Sequence, residues 1–348
     1  MAELTSETPP PPPQPPLDSL KRRRTRDERL GAAVADLQQR LKALGVDAQD
    51  NAALSDLRKL LRKQLGGRNW PFEVKQLTDR TTVIVEMDHF GECPHIYVVR
   101  GKRKAVIIDT GCATANLREF LWTLPELDGL EFQVVNTHVH YDHIMGNHSF
   151  CGAGGASLCS ECLCICQGSR DRAFSENWVE TSLQGSVGAS IRNFIVTDWL
   201  EEGDKIYLDD DTPSEEESLE VMYTPGHTPD SISLYLPAEN RIFTGDLIYP
   251  GPIYLFLPGS KLEEFEHSLA KLQSFIQSLP PGVVLSCGHI TPALPAVKLE
   301  ELGALLPAIR ARQVQPRMTR IPWSPEPLAA FQTPTFELLC RSKDVSVE

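Results

Sequence analysis

The sequence predicts an α/β protein built as a four-layer αβ/βα sandwich, with two stacked sheets covered by helices and a helical extension at the N-terminus. Two observations carry this prediction. Short runs rich in β-branched residues fall into two groups, at 82–109 and 219–287, and turn signals such as Gly101-Lys102 separate the runs. Helical patterns lie between and beside them, and the longest is an amphipathic stretch at 261–279. Strands grouped in this way, with helices outside them, favour two sheets packed face to face.

The predicted strands and helices are of ordinary length. The first group has strands at 82–86, 96–100 and 105–109, followed by a helix at 116–124 and a strand at 132–136. The second group has strands at 219–223, 231–236, 241–244 and 283–287, with the helix at 261–279 before the last of them. These elements predict one folded domain at 69–310 and leave 311–348 as a C-terminal tail that packs on or flanks it.

The N-terminal residues differ in composition from the rest of the chain. Residues 1–26 are predicted to be a disordered tail, because seven prolines fall among the first 16 residues and a basic cluster follows them. Apolar residues then recur at alternating spacings of four and three from Leu30 to Leu44, and three leucines continue the pattern after Gly45. This spacing predicts a helical hairpin at 27–68.

Charge and hydropathy argue against several classes of protein. The formal net charge is −13, from 47 acidic and 34 basic residues, which opposes the attraction to phosphate on which nucleic-acid binding depends. No stretch of about 18 apolar residues could span a bilayer, and the polar N-terminus lacks the apolar core of a signal peptide. We therefore expect a cytoplasmic protein with no transmembrane segment and no nucleic-acid partner, whose nine cysteines are reduced.

The strongest local signal is Thr-His-Val-His-Tyr-Asp-His at 137–143, directly after a predicted strand. It places His138, His140, Asp142 and His143 within six residues, in a chain that has only nine histidines. Three imidazoles and a carboxylate at this spacing are hard to satisfy unless a cation lies between them. The cluster therefore indicates a metal site.

Three further candidate ligands each follow a glycine at the end of a predicted strand. The pairs are Gly226-His227, Gly245-Asp246 and Gly288-His289. Glycine permits tight turns and close backbone approach, so side chains from separate strands can converge on one ion. Any one of these pairs is a weak signal by itself, but their order behind the histidine cluster is specific.

This pattern resembles the metallo-β-lactamase superfamily, over roughly residues 72–300. The resemblance implies two adjacent metal sites, with His138, His140 and His227 at the first, Asp142, His143 and His289 at the second, and Asp246 bridging both. Asp109, in an Ile-Asp-Thr-Gly motif, matches an upstream aspartate that supports the histidine loop and does not bind metal. The resemblance thus implies a metal-dependent hydrolase on the four-layer fold.

The implied ligands suggest zinc as the cofactor, with two ions per chain, and iron or manganese as alternatives. Zinc lowers the pKa of bound water to about 7, which makes hydroxide available at neutral pH, and it polarises a substrate carbonyl. The predicted catalytic residues are Asp246, which bridges the ions, and Asp142, which orients the water or moves its proton.

The bond that is cleaved is a separate prediction. A thiolate with a pKa of about 8.5 can leave without a proton, whereas an amine needs a general acid, and only Asp142 and Tyr141 are candidates for that role. Thioesters therefore suit the site best, and the sequence is similar to the eukaryotic branch of the superfamily that includes acyl-coenzyme A thioesterases. Tyr141, Tyr249 and Tyr254 are predicted to line the substrate site, with simple wall packing of Tyr249 and Tyr254 as the alternative.

Two features depart from the compact members of that family, such as glyoxalase II. Asp230 stands three residues after His227, where many members have glycine. His143 and His227 lie 84 positions apart, which predicts an insertion around 170–199. The insertion leaves a narrow substrate assignment open.

Cysteine is concentrated between residues 159 and 166. A helix there would place Cys159, Cys162 and Cys166 on one face. Since the segment lacks the second matching pair of a typical zinc motif, ordinary buried thiols are favoured over a metal or redox site.

Three other functions stay open. A mononuclear iron persulfide dioxygenase would use only the first site, because histidine and carboxylate ligands accept iron as well as zinc. A lactonase or β-lactamase-type hydrolase would attack a different carbonyl. A non-catalytic scaffold would be expected to lose ligands, whereas all seven are present here. A homo-oligomer is compatible with any of these functions.

Overall fold

The computed structural model describes residues 67–322 and 324–345. The predicted tail at 1–26, and all but the last two residues of the predicted hairpin at 27–68, lie outside the described residues. The described part of the chain forms three sheets with helices around them. No helix in this part is long and apolar enough to cross a membrane.

The first sheet has seven strands that lie side by side in chain order. They are β1 Phe72–Gln76, β2 Thr81–Glu86, β3 His95–Arg100, β4 Lys104–Ile108, β5 Glu131–Val135, β6 Cys162–Gly168 and β7 Asp198–Leu200. β1 to β4 pair antiparallel, and β4 to β7 pair parallel. β3 and β4 are almost wholly buried, which explains why their sequences are nearly continuous apolar runs.

The second sheet has six strands and stacks on the first. Its strands are β8 Lys205–Tyr207, β9 Ser218–Tyr223, β10 Ile232–Leu236, β11 Arg241–Gly245, β13 Val284–Cys287 and β14 Leu294–Pro295, in the order β14-β13-β11-β10-β9-β8. Alternate residues of the two sheets fill the space between them, for example Val106 and Ile108 from β4 with Leu219 and Leu234 from the second sheet.

Helices cover the outer faces of both sheets. The α-helices are α1 Leu117–Leu121, α2 Tyr141–Ile144, α3 Arg172–Glu176, α4 Trp178–Thr181, α5 Leu262–Gln277, α6 Leu299–Arg310 and α7 Ser342–Val345. α1 packs on the first sheet through Leu117 and Phe120, and α5 packs on the second through Phe265 and Leu269. The order helix, sheet, sheet, helix confirms the predicted four-layer αβ/βα fold.

A third, four-stranded sheet joins the end of the chain to the region after β11. Its strands are β12 Gly251–Leu255, β15 Arg317–Thr319, β16 Leu328–Gln332 and β17 Phe336–Arg341, in the order β12-β17-β16-β15. β12 pairs with β17 in parallel, with Tyr254 opposite Leu339. The domain boundary placed at 310 remains a prediction, but the predicted tail contributes three strands to this sheet.

The prediction that Cys159, Cys162 and Cys166 share one face of a helix is wrong. Cys162–Gly168 is strand β6, which pairs in parallel with β5 on one side and with β7 on the other. Backbone hydrogen bonds to two neighbouring strands outweigh the weak local preference of this segment. Alternate residues, and not every third or fourth, therefore share a face.

Candidate metal centre

The predicted donors lie at the ends of strands from both stacked sheets. After β5 ends at Val135, the chain passes through His138 and His140 into the short helix α2, which carries Asp142 and His143. His227 follows β9, Asp246 follows β11 and His289 follows β13. Their donor atoms form two compact groups, one of three residues and one of four.

Glycine is needed where two of these strands end. Gly226 has a φ of +144°, and a Cβ there would lie 2.4 Å from the Cα of Phe265. Gly245 has a φ of +49°, and a Cβ there would lie 2.6 Å from Oγ1 of Thr137. Both contacts are too short for any side chain, so the chain turns into His227 and Asp246 only with glycine before them.

The first donor group consists of His138, His140 and His227, all of them buried. Nδ1 of His140 lies 3.0 Å from Nε2 of His138 and 3.0 Å from Nε2 of His227. Burial lowers the pKa of all three imidazoles, to about 3 for His140, so all three are neutral at physiological pH. Neutral imidazoles that converge in this way present the lone pairs that a metal ion needs.

The second donor group consists of Asp142, His143, Asp246 and His289. Oδ2 of Asp142 lies 3.3 Å from Nε2 of His143 and 3.2 Å from Nε2 of His289. The carboxylate oxygens of Asp246 lie 3.4 Å from the same two nitrogens. Oδ2 of Asp246 also lies 3.7 Å from Nε2 of His227, so this carboxylate stands between the two groups.

The second group carries charge where the first does not. Burial would raise the pKa of Asp142 and Asp246, but the neighbouring histidines outweigh it and hold both pKa values well below the usual range. Burial would likewise lower the pKa of His143 and His289, but the two carboxylates hold both pKa values well above the usual range. The two carboxylates therefore place negative charge where the four side chains converge.

These residues fit a bound metal ion. Among the described residues, Nε2 of His143 and Oδ1 of Asp246 are buried without a hydrogen-bond partner, although they lie only 3.4 Å apart. A buried polar atom without a partner costs about 1–3 kcal/mol, and a cation between the two atoms would remove that cost. Imidazole and carboxylate are ligands that zinc-class ions accept.

Most donor histidines are oriented by an acceptor behind the ring. The pairs are His143 Nδ1 with Asp109 Oδ2 at 2.9 Å, His289 Nδ1 with the Glu92 carbonyl at 2.9 Å, and His227 Nδ1 with the Tyr254 carbonyl at 3.0 Å. A carbonyl only accepts, so Nδ1 of His227 and of His289 donates, and each Nε2 faces the donor groups. Such partners fix the tautomer and orientation of metal-binding histidines.

Asp109 lies between the start of the histidine loop and His143. Its φ is +63°, unusual for a residue with a side chain. Oδ1 accepts from the backbone N–H of Thr137 at 2.7 Å, and Oδ2 accepts from the Thr137 hydroxyl at 2.8 Å in addition to contacting His143. Asp109 therefore ties the start of the histidine loop to the second donor group.

Glu92 and Asp88 belong to the site but could not be found from the sequence. The Glu92 carbonyl accepts from His289, and its carboxylate accepts from the Tyr141 hydroxyl. Asp88 holds this loop in place, because its carboxylate accepts from four successive backbone N–H groups, those of residues 90 to 93. An aspartate followed three residues later by glycine is common in turns, so the sequence predicts a loop here. It does not predict that this loop lies beside His289.

The three tyrosines predicted to line the substrate site differ in their surroundings. Tyr249 is buried, with its ring centroid 5.5 Å from that of His289. Tyr254 is partly buried, and its ring contacts Phe256 edge-on. Tyr141 is buried. Contact of any of these rings with substrate remains a prediction.

The predicted insertion packs against both ligand-bearing loops. The Ser182 carbonyl accepts from the backbone N–H of Tyr141 at 2.9 Å. On the other side, the Ser175 hydroxyl donates to Oδ2 of Asp230 at 2.9 Å, and Arg170 donates to the Pro229 carbonyl at 2.9 Å. The insertion thus forms a wall beside the two donor groups, and Asp230 is one of its anchor points.

Comparison with known proteins points to one family. The sequence profile described as the metallo-beta-lactamase superfamily matches residues 94–289. Human acyl-coenzyme A thioesterase MBLAC2 is 29% identical over 214 residues, which span 55% of this chain and 73% of that protein. The Aspergillus versicolor protein avaE, named as a candidate transcription factor, is 28% identical over 258 residues, which span 66% of this chain and 73% of that protein.

A solved structure shows the same fold. The beta-lactamase domain protein from Burkholderia ambifaria superimposes with a TM-score of 0.50 and 16% sequence identity. The similarity covers 71% of this chain and 81% of that chain. At this level of identity the structural similarity concerns the fold alone.

Proposed function

The chain belongs to the metallo-beta-lactamase superfamily and is a hydrolase, and we propose that it uses a two-ion centre to cleave thioesters such as acyl-coenzyme A. The observation that carries this proposal is the convergence of the two donor groups, with Asp246 between them. One carboxylate shared by two adjacent donor groups is the arrangement expected of a two-metal hydrolase.

The two donor groups would each hold one ion. His138, His140 and His227 would bind the first, Asp142, His143 and His289 the second, and Asp246 both. We propose zinc, because neutral imidazoles and carboxylates suit it, with iron and manganese as alternatives. When bound, such ions act as Lewis acids that lower the pKa of water and polarise a substrate carbonyl.

The surrounding residues favour a leaving group that needs no proton. Tyr141 is the phenol of the histidine loop, but its hydroxyl already donates to the Glu92 carboxylate. The histidines hold the pKa of Asp142 well below the usual range, so its carboxylate accepts hydrogen bonds and orients water but is a poor acid. A thiolate leaves without help, whereas an amine does not, and this supports a thioester over an amide.

The similarity to MBLAC2 supports the same substrate class. That protein is named as an acyl-coenzyme A thioesterase, and the aligned part covers 73% of its length. A cytoplasmic location, the lack of a nucleic-acid partner and a homo-oligomeric state remain predictions.

The test compares a thioester, an oxygen ester and an amide that share one long acyl chain. We expect kcat/KM to fall in that order, with the amide far below the thioester. Asp246→Ala should lower thioester turnover by about a thousandfold, because a metal centre supplies several kcal/mol of transition-state stabilisation. Asp79→Ala, an exposed aspartate in the β1–β2 turn, is the control and should leave turnover unchanged.

Two outcomes would contradict the proposal. Preferred cleavage of the amide or of a β-lactam would mean that a general acid acts at this site. Full turnover by a folded Asp246→Ala variant would remove the shared carboxylate from the reaction. Oxygen consumption with a persulfide substrate would instead favour the mononuclear iron alternative, against which the fully assembled second donor group argues.

A further inference from the structure

Strand β6 brings two thiols together away from the two donor groups. Because side chains alternate along a strand, Cys164 and Cys166 leave the same face of the first sheet. Their Sγ atoms lie 3.4 Å apart. A helix would pair other cysteines, so this contact follows only from the extended conformation of the segment.

A carboxylate from the next strand completes the cluster. Asp198 is the register partner of Cys166 in the parallel pair of β6 and β7, so its side chain leaves the same face. One ligand atom from each of Cys164, Cys166 and Asp198 lies within 4.8 Å of the other two. We call these three residues the cysteine cluster. The Gln133 amide on β5 donates to Sγ of Cys166 at 3.8 Å, a contact that favours the thiolate.

The cysteine cluster is buried on one side and open to solvent on the other. Cys166 is 1% exposed and packs in the core between the two stacked sheets, Cys164 is half-buried, and Asp198 is exposed on the outermost strand of its sheet. The hydrogen bond with Cys164, burial and the Asp198 carboxylate all raise the pKa of the Cys166 thiol. Negative charge in this cluster is therefore unfavourable unless a cation accompanies it.

We propose that Cys164, Cys166 and Asp198 bind a zinc-class divalent cation, at a third site separate from the two donor groups. Two thiolates and one carboxylate suit zinc or cadmium, whereas magnesium and calcium prefer oxygen ligands alone. The solvent side leaves a fourth position for water. Each thiol releases one proton as its sulfur binds, and no atom changes oxidation state.

A disulfide fits this geometry less well than a cation does. An S–S bond is about 2.05 Å long, and alternate residues of a strand have Cα atoms about 6.6 Å apart, near the upper end of the disulfide range. Closing the 3.4 Å gap would strain β6 against β5 and β7, which hold it in register on both sides. A cation accepts the sulfur atoms near their present separation.

A cation at this site would fasten an edge strand. β7 is only three residues long, is the outermost strand of the first sheet, and lies at the C-terminal end of the predicted insertion. Asp198 belongs to β7, whereas both cysteines belong to β6. Binding would therefore anchor the end of the insertion that forms a wall beside the donor groups.

Cadmium is the probe that separates this site from the catalytic centre, because thiolate-to-cadmium charge transfer absorbs in the ultraviolet and imidazole or carboxylate ligands give no such band. The full chain, saturated with zinc and kept reduced by a phosphine, is titrated with Cd²⁺, which as the softer ion displaces zinc preferentially from thiolate ligands. We expect one equivalent to produce the band, and Cys164→Ser to abolish it. Asp198→Asn should weaken the apparent affinity by about tenfold or more.

Cys340→Ser is the matched control, because Cys340 is a buried cysteine in the third sheet, and this variant should keep the full band. An undiminished band in Cys164→Ser would overturn the proposal. So would an Asp198→Asn variant with unchanged affinity, and this residue is exposed, so its replacement should not disturb folding. Loss of two thiols on mild peroxide treatment, without any cadmium band, would identify a redox pair instead. Thioester turnover by the same samples reports separately on the proposed function.

Discussion

The two donor groups hold their side chains in place by different means. In the first donor group, burial keeps three imidazoles neutral, and Nδ1 of His140 lies 3.0 Å from Nε2 of His138 and of His227. In the second donor group, two carboxylates lie 3.2 to 3.4 Å from Nε2 of two imidazoles, so this group carries negative charge that the first lacks. The two groups therefore differ in charge, and the second group also has both of its imidazoles hydrogen-bonded from behind, by Asp109 and by the Glu92 carbonyl.

If the two groups are separate binding sites, loss of one should leave the other filled. We expect His289→Ala and His138→Ala each to retain about one of two ions, as measured by metal analysis after desalting. Both should lose about a hundredfold to a thousandfold in kcat/KM, because a metal ion contributes several kcal/mol to catalysis. His267→Ala, which replaces an exposed histidine of α5, is the control and should retain both ions.

Complete metal loss from both variants would show that the groups bind only together. Retention of two ions by His289→Ala would remove His289 from the second site. Either result would break the comparison between the two groups.

A smaller effect should follow from Asp88→Ala, because Asp88 holds the loop whose backbone contacts His289 of the second group. Without its carboxylate, four backbone N–H groups lose their acceptor, and the Glu92 carbonyl loses its fixed position behind His289. We expect the affinity of the second ion to fall by about tenfold and that of the first to stay unchanged, in a titration against a chromophoric chelator.

Asp209→Ala is the matched control for this variant. The Asp209 carboxylate also accepts from a loop N–H group, that of Asp211, but the loop follows β8 and belongs to neither donor group. Equal weakening of both ions by Asp88→Ala would refute a specific role beside His289.

Asp230 shows how a buried carboxylate behaves outside the histidine clusters. Burial raises its pKa to about 6, whereas the histidines lower the pKa of Asp142 and Asp246. In the unfolded chain its carboxyl group ionises near pH 4, so between pH 4 and 6 the folded protein binds more protons and the free energy of unfolding falls as pH rises. Asparagine does not titrate.

We therefore expect Asp230→Asn to gain stability relative to wild type as pH rises. The change in the free energy of unfolding caused by the substitution should be more favourable at pH 8 than at pH 4 by about 2 kcal/mol. Urea unfolding at the two pH values measures it. A difference independent of pH would mean that Asp230 is ionised at little cost in the folded protein.

The seven donors could be predicted because their signals are local. Four lie within six residues, and the other three each follow a glycine at a strand end. Two stacked sheets with outer helices could likewise be predicted from the grouping of apolar runs. The structure brings the seven predicted residues together, and their roles as ligands are what the metal analysis tests.

The remaining features depend on contacts between distant parts of the chain. Glu92 and His289 are 197 positions apart, and the contact uses a backbone carbonyl, which every residue has. The pairing of β12 with β17 joins segments separated by more than 80 residues, with no local pattern that links them. β6 was misassigned for the same reason, since its conformation is set by the strands on either side of it.

The third sheet bears on the order in which the protein matures during synthesis. The Tyr254 carbonyl that orients His227 lies in β12, and β12 has β17 as its only strand partner among the described residues. A ribosome releases β17 well after it has released His289, the last of the donors. Because domains fold as their segments emerge, the first donor group gains this support only after β17 has left the ribosome. A chain that stalls before residue 336 carries every donor without the strand that steadies one of them.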